Sequence, residues 1–121
     1  EMFYAEKNNG AFFNNKRIRV SKKKKIEECL FGTGGKSELN FNLNTRKSGS
    51  AALDMAYVGA GRYDGYFQKN LNIWDIAAGI IIVKEAGGKI NDIKYSDDKE
   101  IKILAGSISI YDKMLEKLIN F

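Results

Sequence analysis

Trp74 and Asp75 open the run IWDIAAGIIIVKEAGG, in which every position from Ile76 to Val83 is apolar or small. A carboxylate at the start of a helix is favoured by the free amides and the macrodipole, by about 0.3–1 kcal/mol. On the plainest reading, then, Asp75 simply caps the helix. The apolar run predicts, however, that this end of the helix is buried, and a buried carboxylate beside Trp74 needs a cation or several donors. Lys69 and Lys84 are the nearest lysines in sequence, and Lys84 lies more than about two turns along the helix. A bound metal ion is therefore the alternative partner for Asp75. A second candidate is KSGSAAL, where Gly49, Ser50 and Ala51 open a helix and their amides point outward together. Such a start receives anions, and small residues let a ligand approach the backbone. Gly-Ser helix starts are common, so the signal is weak alone. A further glycine-rich turn, GTGG at Gly32–Gly35, has neither Walker nor GxGxxG spacing.

Composition removes several chemistries. The chain of 121 residues contains no histidine, which excludes Ser-His and Cys-His arrangements and histidine metal sites within it. Carboxylates, hydroxyls, lysines, backbone amides or a metal must do any catalysis. The single cysteine, Cys29, has no internal disulfide partner, and a cytoplasmic protein is expected. The net charge of +5 owes part of its excess to Lys22–Lys25. That run reads as a solvated turn or as a nucleic-acid contact, and no aromatic residue is interleaved with it to make a stacking platform. No apolar stretch reaches the about 18 residues of a membrane span. The N-terminus lacks the order of a signal peptide and begins on Glu1 in a strand-like pattern, so the chain is expected to start within a longer protein.

Positioning these residues requires a set of strands and helices. MFYA, AFF and RIRVS, separated by NNG and NNK, read as a β-meander over residues 2–20. Ile26–Thr33 ends in CLFGT, which reads as a buried strand; residues 36–45 read as a polar loop with a short strand, and Ala51–Val58 as a helix capped by Ser48 or Ser50 and stopped at Gly59 and Gly61. RYDGYF is a strand or turn, Asp75–Ala86 the apolar helix, GGKIND a short strand, SDDKE a loop and IKILAGS a buried strand. Ile110, Met114, Leu118 and Phe121 mark a final amphipathic helix. The apolar helix has hydrophobic residues on most sides and is predicted to lie between layers. Strands alternating with helices define a layered α/β domain.

WDIAAGIIIVKEAGGKIND resembles the C-terminal signature of the inositol monophosphatase family, including its bacterial extragenic-suppressor type. RKSGSAALDMAYVGAGRYDGYF resembles the preceding family segment, and GAFFNNKRIRVS the strand pair before that. The likeness covers nearly everything except residues 36–43. It implies a Mg2+-dependent phosphomonoesterase that hydrolyses inositol monophosphate or a similar polyol or sugar phosphate with metal-activated water. Fructose-bisphosphatase-like and nucleotide-3′-phosphatase-like relatives share that chemistry. By the same likeness Asp75 is the catalytic metal carboxylate and touches substrate hydroxyls, and Gly49, Ser50 and Ala51 contact substrate. Gln68 stands where many relatives place a Glu that bonds a substrate hydroxyl; it keeps an acceptor oxygen but loses the charge. Arg46 and Asp64 match family positions, and surface pairing and turn formation account for them equally well.

The departures are as informative. The family's Glu-Glu and Asp-Pro-(Ile/Leu)-Asp-Gly-Thr segments, which carry its main metal carboxylates, do not occur here, and the absence of proline excludes the second outright. A lone Asp75 would hold Mg2+ weakly, so these residues alone are expected to be inactive. The segment between GTGG and RKSGS is also shorter than in relatives. The resemblance implies the C-terminal part of the sugar phosphatase fold, residues 26–121, preceded at residues 1–25 by a meander belonging to the family's N-terminal sheet. An uncovered meander edge favours self-association, and a homo-oligomer is expected. The rival expectations are a non-catalytic family module that binds RNA or transcription partners, and an inactive remnant. A small phosphorylated substrate and no membrane contact complete the expectation.

Overall fold

The computed structural model describes residues 2–34, 42–93 and 101–121. Strands β1 (Phe3–Glu6), β2 (Gly10–Phe13) and β3 (Lys16–Arg17) form an antiparallel meander of three strands. Asn14 and Asn15 both have positive φ, at 49° and 72°, and make the two-residue turn between β2 and β3. The meander is present as expected, but its third strand is only Lys16–Arg17. Ile18 and Val20 instead turn inward beneath it, against Ala11, Ile82 and Ala86. Ile18 still donates its N–H to the Ala11 carbonyl of β2 at 2.9 Å, whereas Val20 donates to the Ala86 carbonyl at 3.0 Å, so the alternation continues past the strand.

A single 3-10 turn at Ile26–Glu28 precedes β4 (Leu30–Thr33), which falls within the CLFGT segment expected as a strand. β5 (Asn44–Arg46), α1 (Ala51–Gly59), β6 (Gly65–Leu71), α2 (Ile73–Glu85), β7 (Gly88–Ile90), β8 (Ile101–Ser107) and α3 (Tyr111–Lys117) follow. The expected loops at residues 36–41 and at SDDKE lie outside the described residues. A second sheet has the order β5-β4-β6-β8-β7. β4 runs parallel to both β5 and β6, while β8 is antiparallel to β6 and β7. The carboxyl ends of β4, β5 and β6 therefore share one edge of the fold.

The two faces of this sheet carry different cores. Phe31 and Phe67 pack with Ile110, Met114, Leu118 and Phe121 of the α3 region, the periodic set read from the sequence. On the other face Tyr66, Ile103 and Ala105 meet Met55 and Val58 of α1 and Ile76 and Val83 of α2. The opposite side of α2, Ile82 and Ala86, packs beneath the meander. The apolar helix is thus sandwiched between layers, as its composition predicts. Gly79 lets α1 and α2 approach closely, because a Cβ there would stand 2.8 Å from the Cβ of Met55.

Glu85 fastens the meander to α2. Its carboxylate accepts the backbone N–H of Asn8 at 3.0 Å and of Gly10 at 2.8 Å. Those two bonds hold the carboxyl below its ordinary value of 4.5. A group with a depressed folded pKa stabilises the fold above its unfolded pKa, and that contribution is lost as pH falls through the folded value. The exchange protection of the Asn8 and Gly10 amides, referenced to the intrinsic rate at each pH, is expected to fall on acidification below about pH 4.5 in the wild type, while Glu85→Gln shows a much flatter acid limb. An unchanged acid limb in the variant would remove Glu85 from this fastening.

Candidate functional site

The parallel strands deliver short connections to their shared carboxyl edge, where ligands of open α/β sheets bind. β4 ends at Thr33 and is followed by Gly34, β5 leads through Ser48 and Gly49 into α1, and β6 runs through Gln68 to Leu71 and into α2. Together these segments enclose a cleft of about 540 Å3, lined by Gly34, Gly49–Ala52, Asp54, Gln68, Leu71, Trp74 and Asp75. Asp75, Gly49, Ser50, Ala51 and Gln68, singled out in the sequence, all line this one cleft.

Two helix N-termini converge there. Ser50 caps α1, its hydroxyl accepting the Leu53 N–H at 3.2 Å. Ser48 holds the approach, with its hydroxyl accepting the Ser50 N–H and donating to the Ser50 carbonyl, both at 3.1 Å. Gly49 takes a φ of +87°, a conformation that favours glycine. α2 begins at Ile73, two residues earlier than its apolar run suggests, and its cap residue Asn72 makes no side-chain cap bond. Asp75 therefore occupies the first turn of the helix.

Its environment corrects the sequence expectation. Asp75 is exposed rather than buried, and Trp74 is 86% exposed. The apolar face of α2 begins at Ile76, so the helix end projects past the core into the cleft mouth. Among the described residues the Asp75 carboxylate has neither a hydrogen bond nor an ion pair. It makes no capping bond back to the chain, although it still sits favourably at the positive end of the helix.

Two cleft-side residues, Asp54 and Tyr66, carry signals the sequence reading passed over. Asp54, in the first turn of α1, is 1% exposed, and its Oδ1 has no hydrogen-bond partner among the described residues. Burial pushes its carboxyl upward, and the Ser48 hydroxyl draws it part of the way back. Its signal was a lone charge inside the apolar run AALDMAYV. Tyr66 is fully buried and donates its hydroxyl hydrogen to Gln68 Oε1. The period-2 spacing of Tyr66 and Gln68 on one strand was its signal.

Other sequence candidates lie elsewhere. Asp64 is buried at the start of β6, where Oδ2 accepts the Leu30 N–H at 2.8 Å and pairs with Lys23 at 3.5 Å. It ties β4 to β6 at the edge opposite the cleft. Arg46 is exposed and donates to the Thr45 carbonyl at 3.0 Å. The lysine run follows the body of the protein: the Lys23 carbonyl accepts from Ser109 at 2.6 Å and the Lys24 carbonyl from Lys113 at 2.5 Å. Cys29 is buried, and burial with the nearby Asp64 charge pushes its thiol up to about 11, which makes it a core residue rather than a nucleophile.

Divalent magnesium takes about six oxygen ligands. The cleft lining supplies two carboxylates, Asp54 and Asp75, and no group of three or more His, Cys, Asp or Glu side chains gathers among the described residues. These residues do not by themselves form a Mg2+ site. Nor is any described helix long and apolar enough to cross a membrane.

The class so defined is a layered α/β domain with a cleft at the carboxyl ends of its parallel strands. The model of the inositol monophosphatase family matches residues 1–120, and the chain belongs to that family. The fructose-1,6-bisphosphatase/inositol-1-monophosphatase of Thermotoga maritima is 52% identical over 101 residues, covering 76% of this chain and 40% of the relative. A Nus factor SuhB of Xylella fastidiosa is 34% identical, over 99% of this chain and 52% of its own length. The crystal structure of the extragenic suppressor protein SuhB from Bartonella henselae superposes with a TM-score of 0.84 at 42% identity, covering 97% of this chain and 53% of that one. The chain thus spans about half the length of these relatives.

Proposed function

We propose that these residues form the substrate-cradling part of a Mg2+-dependent phosphomonoesterase acting on inositol monophosphate or a similar polyol or sugar phosphate. The observation that carries this reading is the unpaired Asp75 carboxylate in a cleft where two helix N-termini meet. Amides at Gly49, Ser50 and Ala51 receive phosphate oxygens, since a helix start offers free N–H donors and a positive dipole end. Asp75 serves as one anionic ligand and as an acceptor for a substrate hydroxyl. Gln68 faces the same substrate from β6. The remaining metal ligands come from outside the described residues, so these residues alone are inactive in this reading. The division at residue 25, with the meander continuing a larger sheet, the cytoplasmic setting and a homo-oligomeric state all belong to the same proposal.

Phosphate release from inositol 1-phosphate by the complete protein is the test. Release that needs Mg2+ is expected; no release from any polyol or sugar phosphate tried would sink the reading. A second reading, a module that engages RNA or transcription partners, draws on the relative named Nus factor SuhB and on the +5 charge. RNA binding that falls steeply with salt, without phosphate release, would favour it.

A further inference from the structure

Tyr66 and Gln68 lie two residues apart on β6 and share the sheet face that packs against α1 and α2. A buried phenol needs an acceptor, and the Tyr66 hydroxyl takes Gln68 Oε1. Burial first, and then the charges of Asp54 and Asp75, raise the Tyr66 pKa, so the hydroxyl keeps its proton and continues to donate. The amide oxygen of Gln68 is therefore engaged on the inner side. Its Nε2 has no hydrogen-bond partner among the described residues. A Cβ at Gly34 would collide with Gln68 Oε1, so the end of β4 must stay bare for this arrangement to fit. Gln68 thus offers the cleft an N–H donor pair, where a Glu would offer an anionic acceptor.

We infer that Gln68 tunes the cleft toward phosphate monoesters carrying a second oxyanion, a carboxylate or another phosphate, at the end remote from the bound ester. An amide N–H pairs most strongly with a charged acceptor, and charge-assisted bonds are roughly twice as strong as neutral ones. A carboxylate at the same position would repel that group and favour the hydroxyls of a neutral polyol. The inference rests on the phosphate-ester reading of the cleft and adds the feature of the substrate that Gln68 selects.

Calorimetric binding to the complete protein tests it, with three ligands: inositol 1-phosphate, a hexose bisphosphate and 6-phosphogluconate. The wild type is expected to bind at least one of the two ligands that carry a second oxyanion about tenfold more tightly than inositol 1-phosphate, since hydrogen bonds to charged acceptors are stronger than those to neutral hydroxyls. A gain for the bisphosphate alone assigns the second group as phosphate, and a gain for 6-phosphogluconate alone assigns it as carboxylate. Gln68→Glu is expected to cut that preference about tenfold while preserving the acceptor for Tyr66. Tyr66→Phe adds no charge but frees Oε1 to turn toward the cleft, and should also weaken the preference. Equal ligand ratios in the wild type and both variants, with phosphate esters still bound, overturn the role of Gln68 and leave the cleft reading standing. Failure of the wild type to bind any phosphate ester overturns both.

Discussion

Asp75→Asn in the complete protein is expected to lower kcat/KM for phosphate-ester hydrolysis by about 10²–10³-fold, the scale of removing one preorganised charge-handling group. The fold should survive. The Asp75 side chain is exposed and makes no hydrogen bond or ion pair among the described residues, so no packed contact or buried bond is lost. The structural loss is the favourable charge at the start of α2, about 0.3–1 kcal/mol, part of which Asn retains as a polar first-turn residue. The two quantities to compare are kcat/KM and the melting temperature. Wild-type turnover would take Asp75 out of the mechanism. A collapse of the melting temperature would mean that the carboxylate does structural work that its exposure argues against.

Phe31→Ala is the expected extreme on the stability side. Phe31 is fully buried on β4, the strand flanked by β5 and β6, and packs into the core that includes Phe67 and Met114. Its ring lies so close to Gly65 that a Cβ there would stand 2.8 Å away. Truncating such a ring costs about 3–5 kcal/mol through lost transfer energy and the cavity left behind. Domains of ordinary stability hold about 5–15 kcal/mol in total, so the variant should unfold at a much lower denaturant midpoint. The same strand leads directly into Gly34 in the cleft lining, which links this core to the site. A loss below about 1 kcal/mol would show that the sheet relaxes around the cavity, against the rigid packing described above.

Much of the architecture was legible because its determinants are local. Ser50 three residues before Leu53 is a cap in the sequence and a cap in the fold. The spacing of Ile110, Met114, Leu118 and Phe121 marked one buried face, and all four are buried. IKILAGS was read as a buried strand and is β8. The run from Ile76 to Val83 required cover on several sides and has it from the sheet, α1 and the meander. The family signature around Trp74-Asp75 and the Gly49-Ser50-Ala51 helix start are likewise local, and both lie on the cleft.

What the chain alone did not disclose depends on three-dimensional placement. The apolar neighbours of Asp75 suggested burial, yet only the docking of α2 decides that its first turn extends beyond the core. The alternation at Ile18 and Val20 is the same for a continuing strand and for a segment that leaves its sheet, and only the position of α2, whose Ala86 carbonyl takes the Val20 N–H, separates them. Asp54 reads as one charge in an apolar helix until the end of β4 and the Ser48 turn close over it. Gln68 reads as an acceptor until Tyr66, placed by the sheet pleat, takes its oxygen. By itself the sequence determined the elements, their caps and the residue types available for chemistry, because these follow from short-range periodicity and backbone preference. Tertiary structure alone decided which groups are exposed, which are paired and which way a donor points, because those depend on contacts between residues far apart in the chain.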